Sequence, residues 1–440
     1  MKKFILTVLF IAVLLAGTFV YLLVRSLNAQ SYQQQIISAV ADLTGKEMTV
    51  AGTPSLKWWP QPTLVLNGIT LSNHKGSEKQ HMLTADSLQV QIEWASLFET
   101  PLVVKNVELV KPVLHLERLE NNQANWNLPL FSAPDSNIND ALFLGSQNTS
   151  STMKIEKLHI QNGTIVYDNK ITGQNATFEA LNGDIVVSSL KGPYQFDGSA
   201  KIAGTTFSGK INSEVIRNDM ASKITAQITE KNSGLHLDFN GEFSPSDPKK
   251  VVWGDASFAI EQPQPLMEAL GFPILNDILK QSVVGSFAIN ITPLEDKLNN
   301  LIVRFGTDEN PFAITTTLTY TPKTAASAES YTGQIAFDKL DYAAFKPYFD
   351  KFGWTDFTNT ETVLPNIQST LNISELILPT GTLKNTSADV SFVNHQLSLT
   401  GGKTTILDTD PITFRINGGQ KDKAPYLTSH ISGKTTNAEA

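Results

Sequence analysis

A chain of 440 residues is long enough for about three domains or a single elongated one. Its 41% hydrophobic and 17% charged residues exclude a disordered chain and a coiled coil. A net charge of −8 without a long basic run argues against a nucleic-acid partner, and the lack of Cys excludes disulfides, thiolate metal sites and cysteine nucleophiles.

From Phe4 to Val24 the chain runs for 21 residues without a charge, enough for a helix to cross a hydrocarbon core of about 30 Å. Phe4, Ile5, Leu6, Leu14, Leu15, Phe19, Leu22, Leu23 and Val24 supply the bulk of this predicted anchor. A cleaved signal peptide is the competing reading, with Leu27-Asn28-Ala29 as cleavage site, but its apolar core normally spans only about 7–15 residues. Lys2 and Lys3 precede the segment, so the positive-inside rule puts the N-terminus in the cytoplasm and exports the rest. In a bacterium this is a single-pass inner-membrane protein with its bulk in the periplasm.

Beyond the anchor, Ile36, Ile37, Val40 and Leu43 recur at helical spacing before Gly45, which predicts a short amphipathic helix over 30–43. From residue 47 the period changes to two. Leu64-Val65-Leu66, then Leu88, Val90 and Ile92 between Gln89, Gln91 and Glu93, then Leu114 and Leu116, all read as strands. The same reading extends to 202–211, 224–228, 235–239, 258–260, 287–291 and 392–399. Only 265–280 and 340–352 look helical again. The stretch 131–152 is rich in Ser, Asn and small residues and reads as a linker. The predicted organisation is therefore an anchor at 1–25, a helix-plus-sheet region at 26–130, the linker, and a β-rich region at 153–440.

An internal repeat adds to this. Val104, Val107, Leu109, Pro112, Leu114 and Leu116 match Ile155, Leu158, Ile160, Gly163, Ile165 and Tyr167 at a constant offset of 51, and Ile373, Leu376, Leu378, Gly381 and Leu383 repeat the first five positions at the same spacing. A strand, a Pro or Gly break and a second strand would be one unit reused along a long sheet.

Motifs for chemistry are scarce. The seven His show no metal-ligand spacing, with His115 and His159 on the polar phase of strands. Gly204 to Lys210 imitates a phosphate loop, but Ile211 stands where Ser or Thr is needed and the flanks alternate like strands. No catalytic residue, metal or cofactor is expected. Trp58-Trp59-Pro60 suits either an aromatic anchor at a lipid interface or core packing near the membrane end.

The order of elements resembles the AsmA family of bacterial inner-membrane-anchored periplasmic proteins. The resemblance rests on the anchor; on Leu43-Thr44-Gly45-Lys46 with Val50 and Gly52; on Trp59-Pro60 and Leu64 to Ile69; and on Leu97-Phe98 and Val107-Glu108-Leu109 with Lys111-Pro112. Leu114 to Arg118 and Asn125-Trp126 complete it, and a looser likeness continues through Leu158 to Gly163, Gly192-Pro193, Gly198 and Leu340-Asp341-Tyr342. It implies a mainly β fold, with an elongated, bent antiparallel sheet of groove-like form carrying a few short helices. It also implies phospholipid as ligand and a role in envelope lipid homeostasis and outer-membrane biogenesis. If about 20 strands lie across the long axis, the groove is roughly 95 Å long.

The alternation nominates Leu64, Leu66, Leu88, Val90, Ile92, Val107, Leu109, Leu114, Leu116, Leu158 and Ile160 for the inner, lipid-facing side. On such a face Val90→Glu should lower lipid binding while the fold survives. The alternative function is an anchored scaffold acting on outer-membrane protein assembly through envelope protein partners, and a third is a carbohydrate-active enzyme with carboxylates converging in a cleft.

Overall fold

The structure, a computed structural model, describes residues 29–94, 103–121, 123–128, 154–187, 192–216, 221–244, 251–270, 281–292, 296–305, 312–322, 328–351, 365–406, 411–421 and 424–433. The predicted anchor at 4–24 and the linker at 131–152 lie outside these residues. No described helix is long and apolar enough to cross a membrane.

Helix α1, Ala29–Thr44, opens the described chain and buries Tyr32, Ile36 and Ala39, which share one face at i, i+4 and i+7. Gly45 ends it at a φ of +64°, with its amide bonded to the Ala41 carbonyl at 2.8 Å. Strands follow in four groups. The first is β1 Met48–Val50, β2 Ser55–Lys57, β3 Thr63–Ser72, β4 His81–Ile92, β5 Val103–Val110 and β6 Val113–Arg118. The second is β7 Lys154–Asn169, β8 Asn175–Val187, β9 Tyr194–Ile202, β10 Thr205–Ser213, β11 Ser222–Glu230, β12 Leu235–Phe243 and β13 Val252–Ile260. Helix α2, Pro263–Ala269, precedes β14 Val283–Ile291, β15 Asp296–Phe305, β16 Phe312–Thr321 and β17 Ser330–Asp341. Helix α3, Tyr342–Lys351, leads to β18 Asn366–Leu378, β19 Gly381–Val393, β20 Gln396–Thr405, β21 Ile412–Lys421 and β22 Ala424–Ser432.

The 22 described strands form one sheet. β1 and β2 both pair with β3, β3 pairs with β4, β4 with β5, and β5 and β6 run along β7. From β7 onward each strand pairs with the next, up to β22. At about 4.8 Å per strand position the sheet is about 90 Å long, measured along its course.

The expectation of a purely antiparallel sheet is corrected. β5 and β6 run parallel to β7, and β17 runs parallel to β18. A parallel neighbour needs a crossover, and the chain makes one between Arg118 and Lys154 and a second through α3.

The repeat has a direct structural meaning. Val104, Val107, Leu109, Leu114 and Leu116 lie opposite Ile155, Leu158, Ile160, Ile165 and Tyr167, so the offset of 51 is the parallel register itself. The breaks coincide as well: Lys111 and Asn162 have φ of 48° and 52°, and the Lys111 amide bonds the Gln161 carbonyl at 2.7 Å. The third copy differs, because after Leu378 the chain reverses into an antiparallel hairpin, with Leu378 opposite Gly381.

Two predicted strands are hairpins. Residues 202–211 turn at Ala203-Gly204 and 392–399 at Asn394-His395, both with positive φ at the two central residues, as two-residue hairpins require. Of the helix predicted at 265–280, the described part ends at Ala269.

An apolar face along the sheet as candidate functional site

Period-two alternation puts every second side chain on one face, and cross-strand pairing lines these side chains up across the strands. One such row starts at Leu66 and passes through Leu88, Leu109, Ile160, Gly183, Gly198, Gly209 and Ile228. It continues through Leu237, Phe258, Gly285, Val303, Ile314, Phe337 and Ile373 to Thr386. Sixteen strands contribute one residue each, and only the last carries a polar atom. A second row beside it, Leu64, Val90, Val107, Leu158, Ile185, Phe196, Ile211, Ala226, Phe239, Ala256 and Phe287, is apolar throughout.

Glycine and phenylalanine alternate here for a steric reason. A Cβ on Gly183 would sit 2.9 Å from the Phe196 ring, and one on Gly198 would sit 2.7 Å from it, so that ring lies along the sheet over both glycines. Phe258 covers Gly285 in the same way, at 2.5 Å from where a Cβ would be. The floor of the face is thus aromatic and low, with no bulk standing between neighbouring strands.

The opposite face is polar. Gln89, Glu108, His159, Asp184, Asp197, Lys210, Gln227, Asp238, Ser257 and Ser286 form a continuous row on it. Asp184 binds Lys157 and His159, both at 2.7 Å, and these contacts, with Lys157 first, hold its carboxyl below the usual carboxylate range.

The sheet curves toward its apolar side. Gln174, in the turn between β7 and β8, lies close enough to the side chains of Asp296 at the start of β15 and Tyr320 on β16 to act on both. Both lie on the apolar phase, in the row Val252, Ile291, Asp296, Tyr320, Tyr331. In a flat sheet β7 and β15 would be about 38 Å apart, so the face between them is the inside of a bend.

Helices cover parts of this inner face. α1 packs over Leu64, Leu66, Leu88, Val90, Ile92, Val104 and Val107 in one buried cluster. Further along, Phe345 of α3 meets Phe337 of the long row edge-on, with ring centres 6.2 Å apart. Beyond α3 lies a cavity of about 450 Å³ lined by Leu371, Ile373, Leu383, Leu399, Phe414 and other apolar side chains. Thr386 and Thr404 in its wall bond each other at 2.8 Å, which ties up their hydroxyls and leaves methyl groups as lining. Among the described residues no cluster of His, Asp and Glu could hold a metal ion.

The AsmA family model matches residues 1–247, more than half of the chain. The chain belongs to the AsmA family. No curated protein and no solved structure matches it. The matched region ends just after β12, yet both apolar rows of this AsmA-family protein cross that point unchanged.

Of the eleven nominated residues, Leu64, Leu66, Leu88, Val90, Ile92 and Val107 lie in the buried cluster under α1, and Leu109 and Leu158 pack against it. Ile160 stands in the long row next to Leu109. Leu114 and Leu116 lie beside Ile165 and Tyr167, half-buried. Expecting Val90→Glu to leave the fold intact is therefore wrong: Val90 is 2% exposed in a packed core. Further on, at Phe196, Ile211, Ile228, Phe239, Phe258 and Phe287, the face is half-buried, and among the described residues no helix is seen to pack over it. Their alternation is legible in the sequence, but which of two phases faces inward depends on register. Gly204 lies in a turn and Thr205 to Lys210 in β10, so the phosphate-loop imitation is a hairpin.

Proposed function

We propose that this AsmA-family protein is anchored in the bacterial inner membrane by residues 4–24 and holds or conducts phospholipid acyl chains along its apolar face, in envelope lipid homeostasis. The observation that carries this reading is the long row, apolar from Leu66 to Ile373. Each acyl methylene costs about 0.8 kcal/mol to expose to water, so a phospholipid is confined to its bilayer unless another apolar surface receives it. A bent single-layer sheet with an apolar inside and a polar outside offers such a surface. Its length repeats one environment many times, which suits movement as well as holding. The protein then acts as a solvent rather than a catalyst. The family assignment supports an envelope-related role. Lipids extracted from the purified full chain and quantified by mass spectrometry test the reading: about one phospholipid or more per chain is expected, and a background level overturns it.

A further inference from the structure

The N-terminal module has two unlike ends. At one, β2 leads into Trp58, Trp59 and Pro60, and β4 ends next to Trp94. Trp59 is 87% exposed and Trp94 43% exposed, while Trp58 stacks on Trp94 at 6.4 Å and packs against the core under α1. The Glu93–Lys105 ion pair, 3.2 Å, lies beside them. At the other end the turn between β3 and β4 carries His74, Lys75, Glu78 and Lys79, and the tryptophan nearby, Trp126, is half-buried against Arg118 and Tyr167 rather than exposed.

The direction of α1 fixes which end meets the preceding chain. Its C-terminus passes to Met48, which pairs with Leu71, and the Glu47 carbonyl bonds the Ser72 amide, so the last turn sits at the charged end. The helix runs back over Leu64 and Ile92 for about 23 Å, against about 30 Å for β3. Ala29 therefore lies toward the tryptophan end. Between Val24 and Ala29 only four residues intervene, a reach of at most about 18 Å. We infer that Trp59 and Trp94, backed by Trp58, form a seat in the lipid headgroup layer that docks the sheet onto the membrane in which residues 4–24 are embedded. An indole has a large apolar body and a single donor, which makes the headgroup layer its favoured depth, and Trp59 is almost fully exposed among the described residues. This rests on reading 4–24 as a membrane span, not on lipid in the groove.

Because the chain has no Cys, one introduced thiol is the only labelling site. The full chain is reconstituted in vesicles of phosphatidylethanolamine and phosphatidylglycerol. Nitroxide labels are then placed through Trp59→Cys, through Lys57→Cys with Trp59 kept, and through Lys75→Cys at the charged turn. The expected result is an oxygen-to-nickel-chelate accessibility ratio several-fold higher at 59 and 57 than at 75. Equal, water-like ratios at all three positions in a chain that withstands carbonate extraction overturn the seat while leaving the anchor standing. A chain washed off by carbonate overturns both, and the lipid content measured above is independent of either.

Discussion

Two glutamates and a control, placed by the two environments of the inner face, give the strongest prediction. Ile228 lies on the part of the long row over which no described helix packs, half-buried between Gly209 and Leu237, whereas Val90 is enclosed beneath α1. At Val90 a glutamate forfeits about 1.5–3 kcal/mol of apolar burial and adds a desolvation cost of several kcal/mol, together comparable with the whole stability of a domain. Val90→Glu should therefore unfold the N-terminal module. Ile228→Glu leaves its carboxylate in water when no lipid is present and costs about 1 kcal/mol of stability. Under a bound acyl chain the same carboxylate is desolvated, and a penalty of about 3 kcal/mol weakens binding about a hundredfold. Thr229→Glu adds the same charge one residue on, on the polar face opposite His236, and should change neither property. Thermal unfolding and lipid mass spectrometry of the three full-length variants check this together. Wild-type lipid content in Ile228→Glu, or an unchanged melting temperature in Val90→Glu, would refute the assignment of faces.

Gly198→Val should destabilise the sheet by about 1–3 kcal/mol, since its Cβ meets the Phe196 ring and the Gly183 Cα at 2.7 and 2.8 Å; denaturant unfolding measures the loss. Burial raises the Asp296 carboxyl above its ordinary value, with the nearby Gln174 side chain opposing, so its contribution is present below the unfolded pKa and is lost as pH rises through the folded one. Asp296→Asn should match wild type at acid pH and exceed it in melting temperature near neutrality, and parallel pH profiles would contradict this. The bend predicts that Gln174→Cys and Asp296→Cys in one chain are joined by a short bismaleimide, whereas Gln174→Cys and Lys403→Cys are not; equal yields on denaturing gels would show that the curvature is wrong.

Much of the architecture is legible in the residues because strand alternation is a local property. The offset of 51 between Val107 and Leu158 even anticipates their parallel pairing. Tight turns are hidden in the sequence: in Ala203-Gly204 and Asn394-His395 two residues reverse the chain without interrupting the alternation, so each hairpin resembles one long strand. The parallel pairs escape a local reading because crossovers join residues far apart in the chain. For the candidate site, alternation identifies an apolar phase at Leu88, Val90 and Ile92 but not what covers it. The apolar stripe of α1 announces burial without naming its partner, and that partner is the same set of side chains. The part of the face built on Gly183, Gly198 and Gly209 is hidden from a search for hydrophobic residues because its floor is made by the Phe196 ring lying over two of these glycines.

The central claim is that lipid lies against one face of the sheet and not the other. Photo-crosslinking in intact membranes tests it, with benzoylphenylalanine replacing either Phe239, on the apolar face, or its neighbour Asp238, on the polar face. Phospholipid adducts at 239 and none at 238 are the predicted result. Equal adducts at both positions, or none at 239, would contradict it.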